Sequence, residues 1–396
     1  MKKEILILNI SKSIAELDWM LPVMSELKNK YKIFVLFQKR NIYKSLSKDR
    51  VLFSLFNELD LECKFDSLFD KFLRFIDKKF TSNLFLKNKI NIFFKFNIKK
   101  YFSKKKIDIF QVQIFFSEFG TYSSLIDYLK LEKNRPKIIH FPTSSHIFQK
   151  PLSSNEPIRY SLKGDFLLLS NDYDLEFWSQ FIKKENIKVV GVPKYDSKWL
   201  NKIIFKQKKN FKNTKKIILI AYSSMFGMDK RRDIELTNQL KEMTNVFSKF
   251  PEMKFIFKIH PRKNNPYYLK ILNEYKNFDY EILSDNLLSL TEKCSIFLHD
   301  RYTSVLSDGL IFKKPCIEYW CDKSDSKSAT ANDTLKLNIR AKDESELENL
   351  LRLAINDPSN KLWIDQIENF NSHYKKFKDI ATKKCLDTIN ELINIK

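Results

Sequence analysis

The sequence predicts two α/β domains with mainly parallel sheets, and three observations carry that prediction. Short β-rich apolar runs alternate with longer amphipathic stretches, the pattern of strand–helix–strand units. The 396 residues exceed one typical domain and suit two. A lysine-rich, turn-prone stretch, Lys206 to Lys215, separates two series of such units.

In the first series, strands are expected at Glu4–Asn9, Lys32–Phe37, Ile107–Gln113, Lys137–Phe141 and Phe166–Ser170. Each is a run of apolar, β-branched or aromatic residues short enough to be a buried strand. Helical patterns fall between them, over Ile14–Lys28 and Tyr122–Leu131. The polar stretch Lys150–Lys163, with Pro151 and Pro157, reads as a long surface loop. In the second series, strands are expected at Lys216–Ala221, Lys254–Lys258, Tyr280–Leu283, Ser295–Leu298 and Pro315–Tyr319. Helices are expected over Asp233–Phe247 and Thr303–Phe312, and from Glu344 onward the pattern is almost all helical. No internal repeat has a fixed period.

A hydrophobic fraction of 43% supports real cores and argues against general disorder. No stretch approaches the roughly 20 apolar residues of a membrane span, and Ser11, Lys12 and Glu16 break the only early apolar run. A cytoplasmic protein is therefore expected. Cys63, Cys294, Cys316, Cys321 and Cys385 are scattered without metal-ligand spacing, so structural thiols are expected and no metal or cofactor.

The net charge of +23 does not by itself imply nucleic acid, since Lys, Asn, Ile and Phe are all abundant in the way AT-rich codons produce. No aromatic RNA-binding motif, zinc finger or arginine-rich arm is present, and no nucleic-acid partner is expected. The charge is uneven: residues 71–106 hold twelve Lys or Arg against Asp77 alone, interleaved with aromatic and aliphatic residues. Peripheral contact with an anionic membrane face suits this segment. Core-facing helices with a solvated lysine face suit it equally.

In open parallel sheets, ligands bind beyond the carboxyl ends of the strands. Four of the five histidines fall at such positions: His140 and His146, His260, and His299. Ser223 and Ser224 follow the first strand of the second half. Tyr302, Thr303 and Ser304 precede a helix containing Asp308, and a helix start with two hydroxyls beside His260 and Arg262 suits phosphate. The competing reading is an ordinary Thr/Ser cap. With only five glycines the chain has neither a GxGxxG nor a P-loop pattern, so side chains and helix ends must hold any donor phosphates. Asp172-Tyr173-Asp174 could hold a metal, but two acids opening the next helix is the preferred reading.

Four segments in order resemble the CDP-glycerol glycerophosphotransferases, which build teichoic-acid-type polymers on a GT-B fold. They are KIIHFPTSSH (Lys137–His146), the stretch Phe166–Asp196 ending in GVPKYD, FIFKIHPR (Phe255–Arg262) and His299–Trp320 with YTSVLSDGLIFKKPCIEYW. Together they span a little under half the chain. Phe141 stands where the family has glycine, and Asp300-Arg301-Tyr302 is one residue longer than its Asp-Tyr-Ser-Ser.

The resemblance implies two Rossmann-like domains facing a cleft: 1–205 as the acceptor domain and 206–374 as the nucleotide-donor domain. A C-terminal helix within 375–396 would pack back on the first. It implies a metal-independent transferase moving glycerol phosphate or a sugar from a CDP- or CMP-linked donor to a saccharide or lipid-linked acceptor, in surface-polysaccharide or capsule synthesis. His140 would be the general base, with Glu118 its rival. His260 and Arg262 would steady the phosphates with Thr303 and Ser304. Asp308 would reach the ribose, with Ser223, Ser224 and Tyr302 also on the donor. Enzymes using CMP-sugars share the HP and Ser/Thr features, so CMP-sugar and UDP-sugar donors stay open. A nucleotide-sugar 2-epimerase or a GT-B-like scaffold without catalysis stays open as well.

Overall fold

The computed structural model describes residues 4–11, 13–66, 101–118, 124–142, 164–173, 175–207, 215–221, 230–258, 272–274, 277–299, 305–319 and 331–394. The loop expected at Lys150–Lys163 and residues 71–100 of the basic segment lie outside them. Among the described residues, seven strands form the first sheet: β1 (Ile5–Ile10), β2 (Lys32–Phe37), β3 (Glu62–Phe65), β4 (Val112–Glu118), β5 (Lys137–Phe141), β6 (Phe166–Leu169) and β7 (Ile187–Val189). Six form the second: β8 (Ile217–Ala221), β9 (Lys254–Lys258), β10 (Tyr280–Leu283), β11 (Ile296–His299), β12 (Cys316–Tyr319) and β13 (Arg340–Ala341).

The helices are α1 (Ile14–Leu27), α2 (Arg40–Lys48), α3 (Arg50–Glu58), α4 (Ser124–Leu131), α5 (Leu175–Trp178), α6 (Ser197–Lys206) and α7 (Lys230–Phe247). They continue with α8 (Leu287–Lys293), α9 (Leu306–Ile311), α10 (Ala331–Thr334), α11 (Glu344–Asn356), α12 (Lys361–Tyr374) and α13 (Ala381–Asn394).

The strand orders are β3-β2-β1-β4-β5-β6-β7 and β10-β9-β8-β11-β12-β13, and every pairing is parallel. These are the two parallel-sheet α/β units the sequence predicts. Central strands such as β1 and β8 are buried along their whole length, as strands covered on both faces must be. In each sheet the order reverses once, between β1 and β4 and between β8 and β11. Crevices at such switch points are where open α/β sheets hold ligands.

One expected strand is displaced. Ile107–Gln113 is not a strand: Ile109–Gln111 is a 3-10 turn, and β4 begins at Val112. The Asp108 carboxylate accepts hydrogen bonds from Phe110 N (3.1 Å) and Gln111 Nε2 (3.0 Å), which curls the chain before pairing starts. The strand therefore runs through Glu118, which ends it rather than following it. β3 and β13 were not anticipated; each is short or partly exposed and lacks a continuous apolar run.

One core is shared by both sheets. It joins Leu6, Leu8, Phe116 and Ile139 of the first sheet, through Trp19 and Met20 of α1, to Leu219, Ile256 and Phe297 of the second. Separate clusters cover the outer faces, with Ile7, Phe115 and Ile138 on the first sheet and Phe255, Phe257 and Leu298 on the second. Helix α6 touches α3 on one side and α8 on the other, so it bridges the two halves. Helix α13 returns to α1, and its Cys385 and Ile389 enter the shared core. No described helix is long and apolar enough to cross a membrane.

Gly191 marks where the first unit hands over to α6. Its φ of +90° suits glycine, and a Cβ there would lie 2.5 Å from Phe377 Cβ and 3.1 Å from Ala381 Cβ. Gly191→Ala would add backbone strain to a steric clash, a cost of about 2–4 kcal/mol. A lowered urea midpoint is expected; an unchanged one would contradict this packing.

Candidate functional site

The carboxyl ends beside the first switch point carry a buried polar row. Register aligns Asn9 of β1 with Ser117 of β4 and His140 of β5. Gln38 Nε2 donates to Asn9 Oδ1 (3.0 Å), and Asn9 Nδ2 donates to Ser117 Oγ (3.3 Å). His140 Nδ1 lies 3.3 Å from the Ser117 carbonyl. A carbonyl can only accept, so Nδ1 carries the proton and Nε2 keeps its lone pair. All four side chains are buried. Burial pushes the imidazole down to about 4, against the main-chain carbonyls of Ser117 and Glu118, which favour the cation; the ring is neutral near pH 7.

His140 Nε2 is buried and has no hydrogen-bond partner among the described residues. Gly164 lies directly over the ring: a Cβ there would come within 2.3 Å of His140 Cδ2 and 2.8 Å of Nε2. The neighbouring Asp165 is fixed by an ion pair with Arg135, by accepting from Ile138 N (2.9 Å) and by donating its own N–H to Ile138 O (2.8 Å).

Strand alternation separates the two candidate bases. His140 shares the outer face with Ile138, while Glu118 shares the inner face with Phe116 and its register partner Phe141. Phe141 stacks on Trp19 of α1 with centroids 5.8 Å apart. Glu118 is thus on the side whose core continues into the second sheet.

The GVPKYD segment forms the junction between the sheets. Lys194 Nζ lies 2.8 Å from Asp308 Oδ1 of α9 and 3.4 Å from Asp18 Oδ2 of α1. Tyr195 Oη donates to the same Asp308 oxygen (2.8 Å). Burial works against the Lys194 ammonium, but the two carboxylates outweigh it and raise its pKa. The Tyr195 phenol is pushed well above its ordinary value by burial and by Asp308.

Asp196 and Asp379 cap each other's neighbouring helices. Asp196 precedes α6, yet its carboxylate accepts from Ala381 N (3.3 Å) and Thr382 N (2.7 Å) at the start of α13. Asp379, just before α13, accepts from Ser197 N (2.6 Å) at the start of α6. Each start thereby fills donors that helix geometry leaves open.

A second charged group lies at the same junction. Asp49 caps α3 through Leu52 N (3.0 Å), and Lys258 at the end of β9 donates to Ser284 O (2.9 Å). Ser284 Oγ in turn donates to Lys48 O across the interface (3.4 Å). Asp285 and Asp18 are the further acids that act on Asp49.

The remaining candidates, Ser223, Ser224, His260, Arg262, Tyr302, Thr303 and Ser304, lie outside the described residues, as do His146 and Asp174. In the chain they follow directly on β5, β6, β8, β9 and β11. His299 is the buried last residue of β11. Asp172 pairs with Lys376, and His373 of α12 meets Tyr173 edge-on. Asp308, expected to reach a ribose, has its carboxylate engaged by Lys194 and Tyr195. Sequence reasoning missed Asp18, Asp49, Lys194 and Lys258. Asp18 and Lys258 each interrupt an otherwise apolar run, in LDWML and FIFKI, and that was the available signal.

No protein-family model matches the chain, and no curated protein sequence does. Solved structures share its fold. The S. aureus MnaA–UDP co-structure superposes with a TM-score of 0.63 at 12% identity, covering 100% of this chain and 98% of that one. UDP-GlcNAc 2-epimerase from Methanocaldococcus jannaschii gives 0.60 at 16%, covering 99% and 100%. The wall teichoic acid polymerase TagF gives 0.56 at 15%, covering 99% and 89%. The architecture is GT-B, with two Rossmann-like units and C-terminal helices.

An imidazole held near 4 binds fewer protons when folded than when unfolded, where His titrates at about 6.5. Its contribution to stability is complete above that value and is lost as pH falls toward 4, by about 3 kcal/mol in all. NMR titration should find His140 neutral down to about pH 5. The urea midpoint should fall less between pH 6.5 and 5 in His140→Gln than in the wild type; equal slopes would refute the buried neutral state.

Proposed function

We propose that this GT-B chain is a transferase that takes a nucleotide-activated donor in the cleft and passes a glycerol-phosphate or sugar unit to a hydroxyl of a bacterial surface polysaccharide. The observation that carries this reading is the position of the polar residues at the two switch points. Glu118 is the last residue of β4, and Asn9 and Ser117 are the last but one of β1 and β4, the strands flanking the first. Ser223, Ser224, Tyr302, Thr303 and Ser304 follow the strands flanking the second.

Residues 1–205 then form the acceptor side and 206–374 the donor side, with the last helix returning to the first. The donor phosphates are held by His260, Arg262, Thr303 and Ser304 without a glycine cradle, which concentrates positive charge where the nucleotide leaves. Asp308 contributes to the donor only by exchanging a bond with Lys194 or Tyr195. Glu118 takes the acceptor proton in this reading, because it lies on the inner face while the His140 lone pair is covered by Gly164. His140 keeps the strand ends in register through Ser117. Residues 71–106 supply contact with an anionic membrane face on which a lipid-linked acceptor would sit.

The CDP-glycerol donor is supported by the four ordered sequence segments and by TagF among the superposable structures. A second reading, a nucleotide-sugar 2-epimerase, is favoured by the epimerase structures that superpose over essentially the whole chain. Thermal-shift measurements with CDP-glycerol, CMP-sugars and UDP-GlcNAc separate the donors, since a ligand that binds the folded state raises the midpoint. CDP-glycerol should give the largest rise. Glu118→Gln should lower transfer at least about 100-fold in a protein that stays folded. Conversion of UDP-GlcNAc alone, without acceptor, would replace transfer by epimerisation.

A further inference from the structure

The junction holds more buried acid than buried base. Asp18 and Asp49 come from the first sheet's helices, and Asp285 and Asp308 from the second unit. Only Lys194 and Lys258 oppose them among the described residues within this cluster. Asp49, Asp285 and Asp308 are each less than a tenth exposed, and the Asp18 carboxylate lies 3.4 Å from Lys194 Nζ. With every group ionised, the described residues of the cluster carry two more negative charges than positive ones in a buried site. Separating the two units would hydrate them, whereas a proton would neutralise them in place.

We propose that this cluster is a proton-operated clasp: protonated, it holds the two domains closed, and fully ionised, it favours opening of the cleft. The inference does not depend on which reaction the cleft performs. Asp49 is the group best placed to take the proton. Lys258 of β9 and Asp285 before α8 act on it from the second unit and Asp18 of α1 from its own, and the flanking Lys48 and Arg50 point to solvent. Burial pushes its carboxyl up to about 7, Lys258 and the Leu52 N–H oppose that, and Asp18 and Asp285 add to it. A carboxyl raised in the folded state holds it more tightly at low pH. That advantage is complete below the unfolded value near 4 and is lost as pH climbs through about 7. Tyr195 and Lys194 stay protonated across this range and serve as fixed donors.

Small-angle X-ray scattering of the full chain between pH 5.5 and 8.5 tests the clasp. The radius of gyration should rise with a midpoint of about pH 7. Asp49→Asn keeps an N-cap acceptor for Leu52 N and removes the titration, so the variant should stay compact across the range. Asp285→Asn removes one of the two excess negative charges, so it should suppress the opening or move it to higher pH. A constant radius in the wild type overturns the proposal, and so does a transition that Asp49→Asn leaves in place.

Discussion

Lys194 is the residue on which the arrangement of the two sheets depends. It sits in the turn that closes the first unit, and its ammonium is shared between a helix of that unit and a helix of the next. An ion pair this deeply placed adds little net stability, because desolvation offsets most of the attraction. What it confers is specificity. Removing one member strands a buried charge at a cost of roughly 3–5 kcal/mol, so alternative docking angles that break the bridge are disfavoured. The surrounding apolar core supplies the bulk of the attraction, and Lys194 selects one geometry from those the core would accept.

That geometry decides how the strand ends are presented. β1 and β4 flank one switch point and β8 and β11 the other, and GVPKYD joins the two systems. Within the first sheet, a single-residue phase determines which side chains face the junction. Glu118 falls in with Phe116 and Phe141, while His140 falls in with Ile138 beneath Gly164. A buried polar row linked by amides and a carbonyl keeps that phase, since slipping by one residue would exchange the faces.

Much of the fold was legible because parallel strands are covered on both faces. β2, β5, β9 and β10 have the bounds their apolar runs predict. β4 was displaced because Asp108 turns the chain first, a local hydrogen-bond effect that hydropathy does not register. The same displacement hid the face of Glu118, which depends on where pairing begins. The junction was harder to read. Tyr195 meets Asp308 across 113 positions of sequence and Asp196 meets Thr382 across 186, so the motif was visible but its partners were not. Asp18 and Lys258 looked like interruptions of apolar runs; only the assembled sheets show that each finds opposite charge.

The mutual capping of α6 and α13 bears on how the protein is made. Asp379 completes the start of α6, and Asp196 completes the start of α13, yet the whole second sheet is encoded between them. During synthesis the first unit is translated well before the helix that finishes it. Multidomain chains ordinarily fold from the N-terminus as each domain emerges. Here α13 is encoded after the second sheet, so the part of the core that Cys385 and Ile389 fill is completed only once that helix has been made.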